Sequence, residues 1–226
     1  MRFVDFEQIM SVPRMSRYVT ACNGDTRKAM TLYRLNLRLS QELFTVVGCF
    51  EVALRNAIDR HYSSLCGADW LRDSARPGGM FSNRACGKTP YIISEGERKL
   101  SSYTHPKLLA EMDFGFWRYL FARHQFHHGG QSLLAIFPSK PRSTPSINYN
   151  NSFIFMELEN INALRNRLAH HEPVCFQLGA HSKSTRYARQ NHQLTLQFFQ
   201  WMNINESVLL YGLDHITEVC DRIDAL

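Results

Sequence analysis

Residues 25–65 read DTRKAMTLYRLNLRLSQELFTVVGCFEVALRNAIDRHYSSL. Leu32, Leu35, Leu39, Leu43, Val46, Phe50, Leu54 and Ile58 recur in it at steps of three and four, the spacing that lines one face of an α-helix. Asp25, directly after Gly24, has the short acceptor side chain that caps a helix start. The segment therefore predicts one long helix, or two broken near Gly48, and with it an α-helical protein.

Working outward, Pro13 suits the first turn of a shorter helix ahead of the long one. The stretch from Asp73 to Pro90, DSARPGGMFSNRACGKTP, is rich in Gly, Pro and Ser and reads as a surface loop. Helical spacing returns over 92–102, breaks at His105-Pro106 and resumes over 108–127. Pro138 to Asn151, PSKPRSTPSINYNN, carries three prolines that no continuous helix accommodates. A helix capped by Asn151 or Ser152 then runs to about His171, stopped by Pro173, and two more are expected over 185–202 and 206–223. The expectation is a single all-α domain, residues 1–226, built as a bundle of about seven helices.

The chain has 226 residues, 44% of them hydrophobic and 20% charged, enough to bury a core without covalent staples. No apolar run nears the roughly 20 residues that span a bilayer, so no membrane partner is expected. The start, Met1-Arg2-Phe3-Val4-Asp5, lacks the apolar block of a secretory signal, and a cytoplasmic location is expected. Twenty-six Lys and Arg against 20 Asp and Glu leave a net charge of +6, which favours polyanions and makes nucleic acid the leading partner on charge alone. The six cysteines form no C-x-x-C pair and read as reduced, mostly packed thiols. Gly-rich nucleotide loops, G-x-S-x-G and H-E-x-x-H are missing, which leaves ATPase, serine-hydrolase and zincin chemistry unsupported.

Chemistry concentrates in residues 154–172, IFMELENINALRNRLAHHE. On a helical wheel Ile154, Leu158, Ile161, Leu164 and Leu168 form the buried stripe, while Glu159, Asn162, Asn166 and His170 gather on another side. Lys and Glu are the ordinary occupants of a merely solvated face, so an Asn-Asn-His column stacked turn over turn stands out. Arg165 lies beside the apolar stripe, about 140° around an ideal helix from His170.

Arg165-Asn166-Arg167-Leu168-Ala169-His170 fits R-x4-H with a polar residue after the arginine. It resembles the motif of HEPN-domain ribonucleases, and RNRLAHHEP from Arg165 to Pro173 resembles the signature of the Abi-like (abortive infection, AbiD/AbiF type) family of bacteria. Two further stretches resemble that family in the same order. These are EVALRNAI at 51–58 and FGFWRYLF at 114–121, and the likeness covers residues from about 15 to 200. The resemblance implies a HEPN-like helical bundle and a metal-independent endoribonuclease without cofactor or metal, acting in antiphage defence or as a toxin. It further implies a homodimer in which two motifs face each other, and it leaves room for an antitoxin or a partner non-coding RNA.

The residues suit that chemistry. Self-cleavage of RNA by its 2′-OH needs one group to take that proton, another to protonate the leaving 5′-oxygen, and a cation on the phosphoryl oxygens. Histidine has both protonation states within reach of neutrality, and arginine holds phosphate with a bidentate fork. His170 is assigned to proton transfer, Arg165 to the phosphate and Asn166 to orientation, with His171, Glu172, Glu159 and Asn162 in support. Glu51, Arg55 and Asn56 are secondary candidates for the same cleft, although Arg55 could instead centre an ion-pair ladder with Glu51 and Asp59. Arg118 and Arg123 could track phosphates, and Lys183, Arg186 and Arg189 of KSTRYAR are the best sequence candidates for contact with the RNA backbone. His124, His127 and His128 suit solvated cations at a helix end better than a metal. The aromatics at 114–121 read as core rather than a base-stacking platform. The competing readings are an RNA-binding protein that holds a partner RNA without cutting it, and a protein-interaction bundle in which Arg165 and His170 only cap their helix.

Overall fold

The computed structural model describes all residues, Met1–Leu226. The chain is all-helical: twelve α-helices and two short 3-10 turns, with one isolated bridge between Phe176 and Lys183 and no strands. They are α1 (Phe3–Met10), α2 (Val12–Ala21), α3 (Thr26–Cys66), α4 (Trp70–Ser74), α5 (Thr89–Lys99) and α6 (His105–Glu111), then α7 (Phe114–Tyr119), α8 (Arg123–His128), α9 (Asn151–Ala169), α10 (Arg186–Trp201), α11 (Glu206–Leu209) and α12 (Ile216–Asp224). No helix is long and apolar enough to cross a membrane.

α3 is one unbroken helix of 41 residues. Asp25 caps it, Oδ1 accepting from the N–H groups of Arg27 and Lys28 at 3.0 Å each. Gly48 costs a helix about 1 kcal/mol relative to alanine, but Val46, Val47 and Phe50 beside it are buried, and their burial outweighs that cost. Of the eight apolar residues whose spacing predicts this helix, all are buried.

The count of about seven helices is too low because long predicted segments are interrupted by caps. The expected helix over 108–127 is three: Asp113 turns back to accept from Phe116 N at 2.7 Å, opening α7, and extended Ala122 separates α7 from α8. The C-terminal segment breaks into α11 and α12 around Gly212, whose φ of +70° is a left-handed conformation glycine adopts without strain. α1, on which the sequence reading is silent, precedes α2. The Asp73 to Pro90 stretch is pinned rather than open: Phe81 is fully buried and donates its N–H to Ser74 O at 2.9 Å. Gly79 packs so closely on the Asp73 and Ser74 carbonyls that a Cβ would overlap them.

The helices gather in two compact units, and three of the four limits between them fall inside α3, α9 and α10, where the periodicity carries no mark of them. The first comprises residues 1–48, 163–197 and 206–226. Its core joins Met15 and Tyr18 of α2, Leu32, Leu39 and Leu43 of α3, Leu164 and Leu168 of α9, and Ile216, Val219 and Ile223 of α12. Edge-on ring contacts run from Phe6 to Tyr33, Tyr18 and Phe176 at 5.0–5.4 Å. The second unit comprises 49–162 and 198–205. Phe50 stands at its centre, against Phe114, Phe198 and Phe199 at 5.4–6.1 Å. Phe114, Phe116, Trp117, Leu120 and Phe121 are buried there as expected, whereas Tyr119 is half exposed.

Candidate functional site

α9 presents the candidate site because its apolar stripe is consumed by the core. Ile154, Leu158, Ile161, Leu164 and Leu168 are each 5% exposed or less. The helix can therefore turn only its other faces outward. Glu159, Asn166 and His170 are exposed, and Asn162 and Arg165 are half-buried.

Within the first unit, the end of α9 closes in two capping bonds. His171 N donates to Leu168 O at 3.1 Å and Glu172 N to Arg167 O at 2.8 Å, the pair that defines a Schellman cap. The residue at its turning position is His171, with φ +55°. Glycine is the usual occupant, and a β-carbon there costs about 1 kcal/mol. This histidine is thus held, exposed, in a backbone conformation that its side chain does not favour. His170 precedes it, also exposed, its N–H still bonded to Asn166 O at 3.0 Å. Two adjacent imidazoles thus occupy the cap of one helix, with Arg165 more than one turn before them.

Three contacts hold this end in place. Arg167 donates through Nη2 to Pro173 O at 2.9 Å, lies 3.6 Å from a Glu172 carboxylate oxygen, and sits over the Tyr187 ring at 5.2 Å. Val174 N donates to the buried Asn36 Oδ1 at 2.9 Å. Arg14 of α2 reaches the His171 carbonyl with Nη2 at 2.5 Å and the Tyr33 hydroxyl with Nε at 3.1 Å. Glu172, a supporting candidate, thereby serves the clasp around Arg167. Arg14 and Asn36 are site-positioning residues that sequence reasoning misses. Nothing in the spacing of a chain signals a partner 157 residues away.

The basic candidates of KSTRYAR divide. Lys183 Nζ donates to the last carbonyls of α12, Ile223 O at 2.8 Å and Asp224 O at 3.2 Å, where a cation also meets the helix dipole favourably. Arg189 pairs with Asp221 at 2.6 Å and Asp224 at 2.9 Å, and the hydrogen bond to Asp221, then that to Asp224, pushes its guanidinium pKa up. Lys183, ahead of α10, and Arg189 within it thus both fasten to the end of α12. Arg186 is the exposed member.

In the second unit, Arg118 is engaged in another way. It is 7% exposed, lies over the Phe155 ring at 4.3 Å and pairs with Glu159, so it is no phosphate tracker on an open face. Burial pulls its guanidinium pKa down. Glu159, expected at the polar column, is the partner of that buried charge. Glu51 and Arg55 are half-buried and Asn56 exposed, with Arg55 Nε 3.4 Å from Asn56 Oδ1. Asp59 takes no part in a ladder with Arg55. It accepts instead from His105 at 2.7 Å, Trp70 Nε1 at 2.8 Å and Ser63 at 3.2 Å. Burial works to raise the Asp59 carboxyl, but these bonds and the His105 charge outweigh it and hold the carboxyl below its ordinary value. His61 meets the Ser132 hydroxyl at 2.9 Å, and burial pushes its pKa down. His124 and His127 are exposed, and no group of three or more His, Cys, Asp and Glu is arranged to hold a metal ion. All six cysteines are free; burial pushes the Cys175 thiol up to about 12 and the Cys220 thiol up to about 11.

No family model, curated protein or solved structure matches this chain.

Proposed function

We propose that this chain is a metal-independent endoribonuclease of a bacterial abortive-infection or toxin system, as the Abi-like and HEPN resemblance of its motifs implies. The observation that carries the reading is the pair of exposed histidines, His170 and His171, at a strained helix end, five and six residues after the half-buried Arg165. An imidazole there accepts the 2′-OH proton as the 2′-oxygen bonds to phosphorus and the bond to the 5′-oxygen breaks. The protonated imidazole, or its neighbour, returns a proton to the leaving oxygen. The products are a 2′,3′-cyclic phosphate and a free 5′-hydroxyl. Arg165 holds the phosphoryl oxygens, whose negative charge builds in the transition state, and Asn166 orients the substrate one turn earlier than His170.

The test is cleavage of total RNA by the purified protein. His170→Ala should cut about 100-fold more slowly or worse, in line with the loss of a general acid or base, with folding and RNA affinity retained. Activity should survive EDTA, and 2′-deoxyribose at the cut site should block it. A wild-type rate in His170→Ala removes the assignment. A protein that copurifies with one specific RNA and never cuts it is the binding protein of the rival reading.

A further inference from the structure

A second basic place exists in the first unit, on another face of α3. An open cleft of about 490 Å³ is lined by Arg34 and Arg38 of α3 and, from α12 and the residue before it, by His215, Glu218 and Arg222. That volume is within the range of small-molecule sites. Arg34 and Arg38 each stand two residues from Asn36, so they lie about 160° around α3 from the side chain that holds the segment after α9. This cleft is not the α9 site.

Its cations are prepared in different ways. Arg38 is fixed by the buried Glu42 at 2.6 Å, and Glu42 also accepts from His215 N at 3.2 Å and lies 3.4 Å from His215 Nδ1. One carboxylate, 6% exposed, thus anchors one side chain on each wall. The connector carrying His215 is held a second time, since Asp214 pairs with His192 at 2.6 Å and accepts from Ile216 N at 3.2 Å. Arg34 is stacked at 5.3 Å over the ring of Phe6. Stacking costs a guanidinium none of its hydrogen-bond donors, and neither Arg34 nor Arg222 is matched with a carboxylate in an ion pair, so both keep forks for an anion. Leu35 and Val219 give the cleft an apolar floor, and the exposed Glu218 carboxylate is an acceptor of hydroxyl or amino protons, beside the Thr31 hydroxyl.

We propose that this cleft binds a nucleoside 5′-phosphate. Arg34 and Arg222 take the phosphate, beside the Arg38 guanidinium that Glu42 holds in the cleft wall. The face of the base lies on Leu35 and Val219, and Glu218 accepts from the ribose hydroxyls or an exocyclic amine. A sugar phosphate without a base leaves the apolar floor unused, and a free nucleoside leaves the arginines unused. The same chemistry is offered by a free nucleotide and by the phosphorylated 5′ end of an RNA. The inference does not depend on the nuclease reading, because it uses none of the residues at the end of α9.

Calorimetric titration of the intact protein with AMP, adenosine and inorganic phosphate tests it. AMP should bind at one site, roughly tenfold or more tightly than either fragment, and more weakly as salt rises. Arg34→Gln and Arg222→Gln alter exposed side chains and should each weaken AMP by about tenfold, the loss expected when a charged hydrogen bond goes, with unchanged thermal unfolding. His170→Ala should bind AMP as wild type does, which separates this site from the proposed catalytic one. A short RNA with a 5′-phosphate, compared with its 5′-hydroxyl twin, names the source: a preference for the phosphorylated RNA over AMP makes the ligand an RNA end, and equal affinity makes it the free nucleotide. No binding of AMP or of the phosphorylated RNA up to about 1 mM, or binding that both arginine variants leave intact, overturns the proposal.

Discussion

The Arg14 guanidinium donates to the main-chain carbonyl of His171 at 2.5 Å, while its Nε holds the Tyr33 hydroxyl at 3.1 Å. One side chain of α2 thereby braces α3 and the strained end of α9 at once, and the exposed imidazoles of 170 and 171 are carried on a fixed backbone.

Removing that brace should cost little stability and more function. Arg14→Ala is expected to lower unfolding free energy in urea by about 1 kcal/mol, the usual net worth of a hydrogen bond from a charged donor near the surface. RNA cleavage should fall further than this destabilisation explains. Arg14→Lys, with a single ammonium in place of a fork, should recover only part of either loss. Undiminished cleavage by Arg14→Ala means that the bond positions nothing.

His171 should be replaceable by glycine to the benefit of the fold. Glycine adopts φ +55° without a β-carbon clash, so His171→Gly is expected to stabilise by about 0.5–1 kcal/mol, and β-branched His171→Val to destabilise. Thermal melts decide the sign. If cleavage drops in the more stable His171→Gly protein, the strained histidine is kept for its imidazole.

Acid should loosen the second unit through Asp59. Its carboxyl is held below the ordinary value in the folded chain, so as pH falls the unfolded chain binds the proton first. The stabilisation is complete above the unfolded value of about 4 and is lost progressively as pH drops toward the folded one. Asp59→Asn should be less stable at neutral pH and show a flatter decline between about pH 5 and pH 3 in urea titrations. Equal slopes in the two proteins assign the acid sensitivity to other carboxylates.

Arg165 and His170 lie about 140° apart around a regular helix, which favours a site completed by a second copy. Inactive Arg165→Ala mixed with inactive His170→Ala should then regain part of the cleavage, and RNA should raise the dimer fraction in ultracentrifugation. Absence of rescue from an active monomer removes the shared site.

What the sequence by itself determined is the helical class and the buried faces. Leu32 to Ile58 of α3 and Ile154 to Leu168 of α9 repeat at steps of three and four, and such a repeat has one way to hide its apolar side. The Asp25 cap and the exposed Asn166 and His170 follow from the same local geometry. Only the tertiary structure decided how the charges are spent. Lys183 and Arg189 look like free cations in KSTRYAR, yet they meet the end of α12, and Arg118 is buried against Glu159 and Phe155. Arg14 and Asn36, silent in sequence, hold the segment around His171. Periodicity records what neighbours three and four residues apart do; an ion pair between residues far apart in the chain depends on where folding brings them.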